Sequence, residues 1–166
     1  MPILNYTTEI PVERTVTEIE KLLAQSGAEK ILKEYDGNGG VLSISFRIQT
    51  ERGSLSFKLP MNEQAVMQVI NNQTGEYKRT KYGQQRIIPR KFYNDKEQAR
   101  RVGWRIIKDW LEAQLALFFL QMVKIEEIFL PYMYNERTGQ TMFQMLEKRD
   151  FKLQLENRGN KDEENE

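Results

Sequence analysis

The chain has 166 residues, 39% hydrophobic and 30% charged, with no Cys and no His. That length suits one domain, and the two absences exclude disulfides, thiolate nucleophiles, His-ligated metals and Ser-His-Asp or Cys-His catalysis. The net charge of +1 conceals a polarised chain: between Lys78 and Lys108 eleven Lys or Arg face only Asp95 and Glu97, so the remainder must be net negative.

The lead MPILNYTTEIPVER has no basic leader followed by an apolar run, so no secretory signal is expected. Thr15 and Glu18 form a capping-box pattern, and Val16, Ile19, Leu22 and Leu23 then recur at helical spacing up to Gly27, which predicts a first helix over Thr15 to Ser26. Ile31 to Tyr35 and Val41 to Ile48 flank the turn residues Asp36 to Gly40, and Leu55, Phe57 and Leu59 follow a second turn at Glu51 to Gly53. Leu42, Ile44, Phe46 and Ile48 alternate with Ser43, Ser45 and Arg47, so one face should be apolar and the other wet. The expected result is a three-stranded antiparallel meander.

Asn62 then caps a helix whose predicted buried stripe is Ala65, Val66, Val69 and Ile70. Residues 71–94 lack periodicity and read as a basic loop or arm. From Asp95 the pattern Ala99, Val102, Ile106, Trp110, Ala113, Leu117 and Leu120 predicts the longest helix, running to about Val123. A helical turn through Ile125 to Phe129 stops at Pro131, and a short helix around Met142, Met145 and Leu146 follows. The fold class read from these elements is α+β, with the meander packed against an N-terminal helix and a long C-terminal helix. One domain is expected over 1–156 and a disordered acidic tail over 157–166. The most apolar window, Ala113 to Val123, is too short for a bilayer, so no membrane contact is expected.

The basic segment carries the strongest functional signal. Cations interleaved with flat rings suit a ligand that offers phosphates and bases. The expected ligand set is Arg86, Arg90, Lys91, Arg101 and Arg105 as donors, with Tyr82, Tyr93 or Trp104 stacking. Pairs of acids, Asp109 with Glu112, Glu126 with Glu127 and Glu18 with Glu20, could each lend a ligand to a hard cation, but no motif surrounds them. No catalytic residue, metal or cofactor is expected. Trp110, Phe118, Phe119 and Met122 read as core or oligomer contact, and the apolar girth near Leu115 predicts a homodimer or higher homo-oligomer.

The run EQARRVGWRIIKDWLEAQLALFFLQMVKIEEIFLPYM, with the lead LNYTTEIPVERTVTEIEKLLAQSGAEKI and the piece SFKLP, resembles a group of small uncharacterised proteins of tailed phages and prophages. The similarity spans residues 3 to about 146, and its shared features, Trp104, Trp110 and the stop Phe129 to Met133, look structural. The resemblance implies a cytoplasmic viral accessory protein and supplies no catalytic residue. With the basic segment it leads to the expectation of a non-enzymatic binder of a nucleotide-type ligand, sequestering a nucleotide immune signal or otherwise blocking host defence. Two alternatives stand beside it: a nucleic-acid-binding accessory of phage DNA metabolism, and a metal-dependent nucleotide hydrolase.

Overall fold

The computed structural model describes residues 1–151; the tail expected from residue 157 lies outside them. The fold is α+β. Strands β1 (Ala28–Tyr35), β2 (Val41–Thr50) and β3 (Gly53–Lys58) form an antiparallel sheet in that order. Register places Ile31, Phe46 and Phe57 side by side across the inner face. Phe57 lies with its ring centroid 5.4 Å from that of Phe46 and 5.6 Å from that of Phe129. Such ring pairs add about 0.5–1.5 kcal/mol each beyond the area they bury.

The outer face departs from the simple alternation. Leu42, assigned by pattern to the core, is exposed, whereas Val41 is buried. Tyr35 pairs with Val41 and Glu34 with Ser43, so Leu42 is the extra residue of a bulge and is turned out of the ladder. Ser43 and Ser45, expected to be wet, are buried. Ser43 donates to Glu34, which also accepts from Lys58 at 3.0 Å, and these longer side chains roof the small hydroxyls.

Helix α1 spans Val12–Gln25, one turn earlier than Thr15 suggests. Pro11, with φ −58°, leads into it, and Val12, Val16, Ile19 and Leu23 form one buried stripe at helical spacing. Thr15 therefore lies inside the helix rather than capping it, and its hydroxyl is buried without a partner. Helix α2 is Glu63–Gly75, and the Asn62 side chain accepts from the Ala65 N–H as its cap. Its inward residues are Val66, Met67, Ile70 and Thr74, while Val69 and Ala65, placed in the stripe by pattern, face outward.

Helix α3 runs Lys96–Phe119 and its cap is Asp95, which accepts from the Gln98 N–H at 2.9 Å. It stops four residues before Val123, because Gln121 takes a left-handed φ of 57°. Short helices α4 (Ile125–Phe129) and α5 (Met142–Glu147) follow, with a 3-10 turn at Leu130–Tyr132 between them. The first buries Phe129 in the main core, and the second starts from a Thr141 capping box.

Two cores meet on α3. Its sheet-facing side joins α1 and the inner sheet face through Trp104, Ile107, Leu111 and Leu115. Its N-terminal half packs through Ala99 and Val102 against Ile70 of α2 and Ile88, which lies further along the chain. Buried Gln98 ties the N-terminal lead to this second core, donating to the carbonyls of Tyr6 at 2.8 Å and Thr8 at 2.9 Å.

The unpaired Thr15 hydroxyl gives a direct test of the packing. A buried polar group without a partner costs about 1–3 kcal/mol, so Thr15→Val, which keeps the shape, should raise stability by about 1 kcal/mol or more. Urea denaturation of the two proteins reads the difference, and a loss of stability would show that the hydroxyl is satisfied.

Candidate functional site

Residues 71–94, which pattern alone leaves without structure, fold into the end of α2, a β-hairpin and a 3-10 turn. Strands β4 (Tyr77–Thr80) and β5 (Gly83–Arg86) pair in antiparallel register, joined by Lys81 and Tyr82. The connection is held chemically. Thr80 Oγ1 donates to the Gly83 carbonyl at 2.9 Å and accepts from the Tyr82 N–H at 3.3 Å. Gly83 has φ +109°, which a side chain would strain. The β2–β3 turn is built identically: Thr50 Oγ1 donates to Gly53 at 2.9 Å and accepts from Arg52 N–H at 3.2 Å. The shared signature Thr-x-x-Gly is thus the signal that could have revealed the hairpin.

The hairpin is rooted in the second core. Ile87 N–H donates to Glu76 at 3.0 Å and Ile88 N–H to Gln73 at 3.3 Å, while the Ile88 side chain is buried. Arg86 donates to the Thr74 carbonyl at 2.6 Å, at the C-terminal end of α2 where carbonyls lack helical partners. A 3-10 turn at Arg90–Phe92 then leads to α3, and Asn94 is locked to Asn71 by two hydrogen bonds of 2.7 and 2.8 Å.

Beyond this root the hairpin projects. Strand alternation puts Tyr77, Arg79, Gln84 and Arg86 on one face and Lys78 and Gln85 on the other. Tyr82 at the tip is 88% exposed, and Tyr77 and Tyr93 are each 52% exposed. The Arg86 guanidinium lies 4.6 Å from the Tyr77 ring centroid and the Lys81 ammonium 4.8 Å from that of Tyr82. From Glu76 to Tyr93 there are six cations and a single acid. Among the described residues, Lys78, Arg79, Lys81, Arg86, Arg90 and Lys91 form no salt bridge.

The cations of α3 are placed differently. Arg105 reaches across to Glu18 of α1 at 2.7 Å and lies 3.8 Å from Asp109. Lys108 pairs with Glu112 at 2.6 Å, and Arg101 pairs with Glu97. Arg101 with Glu97 is an i,i+4 pair on a helix surface, worth about 0.3–0.5 kcal/mol, so an anion can compete for it. Arg105, by contrast, joins two helices. Trp104 is fully buried and donates its Nε1–H to the Val41 carbonyl at 3.2 Å, pinning α3 to the sheet. The stacking role that sequence gives Trp104 is therefore corrected: a ring enclosed in the core has no face for a ligand. Of the expected site, Arg86, Arg90, Lys91, Tyr82 and Tyr93 lie on the hairpin or the segment that follows it. Tyr77, Lys78, Arg79 and Lys81 join them there.

Most of the acids considered as metal ligands are engaged in holding the fold together. Glu18 and Glu20 hold Arg105 and Lys33, Asp109 also accepts from Asn5 at 2.9 Å, and Glu127 accepts from the Lys124 N–H at 2.8 Å. Among the described residues no group of three or more acids could hold a metal, and no helix is long and apolar enough to cross a membrane. A groove of about 800 Å³ opens at the other end of α3, lined by Ile48, Phe118, Met122 and Ile125. Leu115, expected in an oligomer contact, is buried in the main core, whereas Phe119, Leu120 and Met122 beside the groove are exposed. No family model, curated protein or solved structure matches the chain.

Arg100 makes the most consequential ion pairs: it binds Asp36 at 2.5 Å and Glu63. The Gly40 N–H and then Arg100 hold the Asp36 carboxyl below its usual range. Bonds from Ser43 and Lys58 do the same for Glu34, and bonds from Ser56 and Arg47 for Glu136. A lowered folded-state value means stability present above the ordinary carboxylate pKa of about 4 and lost as pH falls through the lowered one. Denaturant titrations between neutral and strongly acidic pH should therefore show a smaller acid loss for Asp36→Asn than for the parent, with the variant less stable at neutrality. An unchanged pH profile would remove Asp36 from the acid transition.

Proposed function

We propose that this protein is a non-enzymatic nucleic-acid-binding protein whose contact surface is the β4–β5 hairpin and the 3-10 turn after it. The observation that carries the reading is the partition of the positive charge. On α3, carboxylates pair with Arg100, Arg101, Arg105 and Lys108 and only Lys96 is left without one, while all six cations gathered on the projecting segment have no such partner among the described residues. Holding like charges together on one small element is unfavourable until an anion arrives. Phosphates spaced along a chain satisfy several of them at once, and the released counterions supply the driving force.

The shape favours a polyanion over a pocketed mononucleotide. A nucleotide sponge encloses its ligand, whereas these cations stand on a hairpin exposed along both strands. Three hollows of the described fold lie away from the hairpin, at the α3–α4 junction and against the outer sheet face near Arg47 and Tyr134. Of the roles suggested by the phage resemblance, an accessory of nucleic-acid metabolism fits this surface better than sequestration of a nucleotide signal. The acidic remainder of the chain repels phosphates and so orients the encounter toward the hairpin.

Fluorescence anisotropy with a labelled oligonucleotide across a salt series tests the reading. Affinity should fall steeply with salt, and Lys78→Ala with Arg79→Ala should flatten the log–log slope by about 0.7–0.9 per phosphate contact removed. The melting temperature should stay unchanged, since both side chains are exposed. Absence of binding at low salt, or a mononucleotide bound as tightly as the oligonucleotide, would overturn it.

A further inference from the structure

We infer that the nucleic acid is held as a single strand, by two ring-and-cation platforms at opposite ends of the hairpin: Tyr77 with Arg86 at its root and Tyr82 with Lys81 at its tip. This rests on the nucleic-acid reading above and adds which form is bound. In each platform a cation covers the ring at 4.6 or 4.8 Å, leaving the ring's opposite face for a base. The same cation is then placed to meet the phosphate joined to the stacked nucleotide. Duplex DNA or RNA keeps its base faces within its own stack and offers a protein mainly phosphates and groove edges. Rings standing in solvent gain from bases that are unpaired.

Other aromatic residues in the segment show the contrast. Phe92, with Lys91 4.9 Å from its ring centroid, is half-buried and meets Tyr6 edge-on at 6.0 Å, so the second core uses that ring. Tyr77 and Tyr82 contribute to neither core cluster. Between them β4 runs from Tyr77 to Thr80, roughly 10 Å at about 3.3 Å per residue, before the turn at Lys81 and Tyr82, so a strand laid along the ribbon meets one ring at each end. Between them Arg79 and Gln84 share the Tyr77 face, and Lys78 stands on the other. Backbone phosphates on the Tyr77 face would meet Arg79 between the two platforms, and Lys78 could be reached around the edge of the ribbon, with no sequence demanded of the bases.

The test compares one labelled oligonucleotide as a single strand and as its blunt-ended duplex, by anisotropy at a single salt concentration. The parent should prefer the single strand. Replacing both rings, Tyr77→Leu with Tyr82→Leu, should lower single-strand affinity about thirtyfold or more, the scale of losing two base stacks, and leave duplex affinity unchanged. Tyr77→Phe with Tyr82→Phe should restore the preference, because the stacking face is retained. Lys78→Ala with Arg79→Ala should weaken both forms together. Equal binding of the two forms, or a Leu variant that loses both equally, would overturn the stacking inference and leave the phosphate reading standing. Failure of the parent to bind either form would overturn both.

Discussion

Everything in the fold that presents the hairpin depends on Arg100. Its guanidinium, mostly enclosed, bridges Asp36 in the β1–β2 turn and Glu63 in the first turn of α2, so one side chain of α3 fixes the sheet and the second core in a single arrangement. Partial burial tightens the constraint, since removing one member of the cluster weakens the compensation of the others where water reaches them only in part. The surrounding chain is shaped to admit it. A Cβ on Gly40 would lie 2.1 Å from Arg100 Nη1, and Asp36 also accepts from the Gly40 N–H at 2.7 Å, so turn and guanidinium close on the same carboxylate. With α2 held on α3, its last carbonyls stand where Ile88 and Arg86 find them, and the hairpin root is set.

From this follows a division of labour among residues of the same charge. Arg100 and Arg105 are structural cations, spent on carboxylates that come from other elements. Lys78, Arg79, Lys81, Arg90 and Lys91 sit on the hairpin and the turn after it, where Glu76 is the single acid from residue 76 to 93, and they form no ion pair among the described residues. A net charge of +1 over 25 cations and 24 acids describes neither population. Rings divide in the same way. Trp104, Phe46, Phe57 and Phe129 build the main core, whereas Tyr77 and Tyr82 give the fold no comparable burial.

The meander and the long helix were legible because period-two and period-3.6 apolar patterns report directly which face is buried. What escaped the pattern had specific physical causes. Leu42 is apolar and in phase, yet the bulge it occupies is set by pairing across the turn with Glu34 and Tyr35 of β1, which a pattern read along β2 does not report. Thr15 resembles a cap, but Val12 extends the buried stripe a turn earlier and decides where the helix starts. The hairpin has no apolar alternation because neither of its faces is buried; only its turn chemistry marks it. On α3, spacing told which cations share a face but not that Glu18, 87 residues away in sequence, faces Arg105. Trp104 lay beside the basic row, and only tertiary packing turned it inward.

The partition of charge is the central claim, and lysine acylation read by mass spectrometry measures it residue by residue. With a single-stranded oligonucleotide bound, Lys78, Lys81 and Lys91 should become protected while Lys108 and Lys33, each already held by a carboxylate, keep the reactivity they show in the free protein. Protection of Lys108 to the same degree as the hairpin lysines, or no protection of Lys78 and Lys81, would contradict the account.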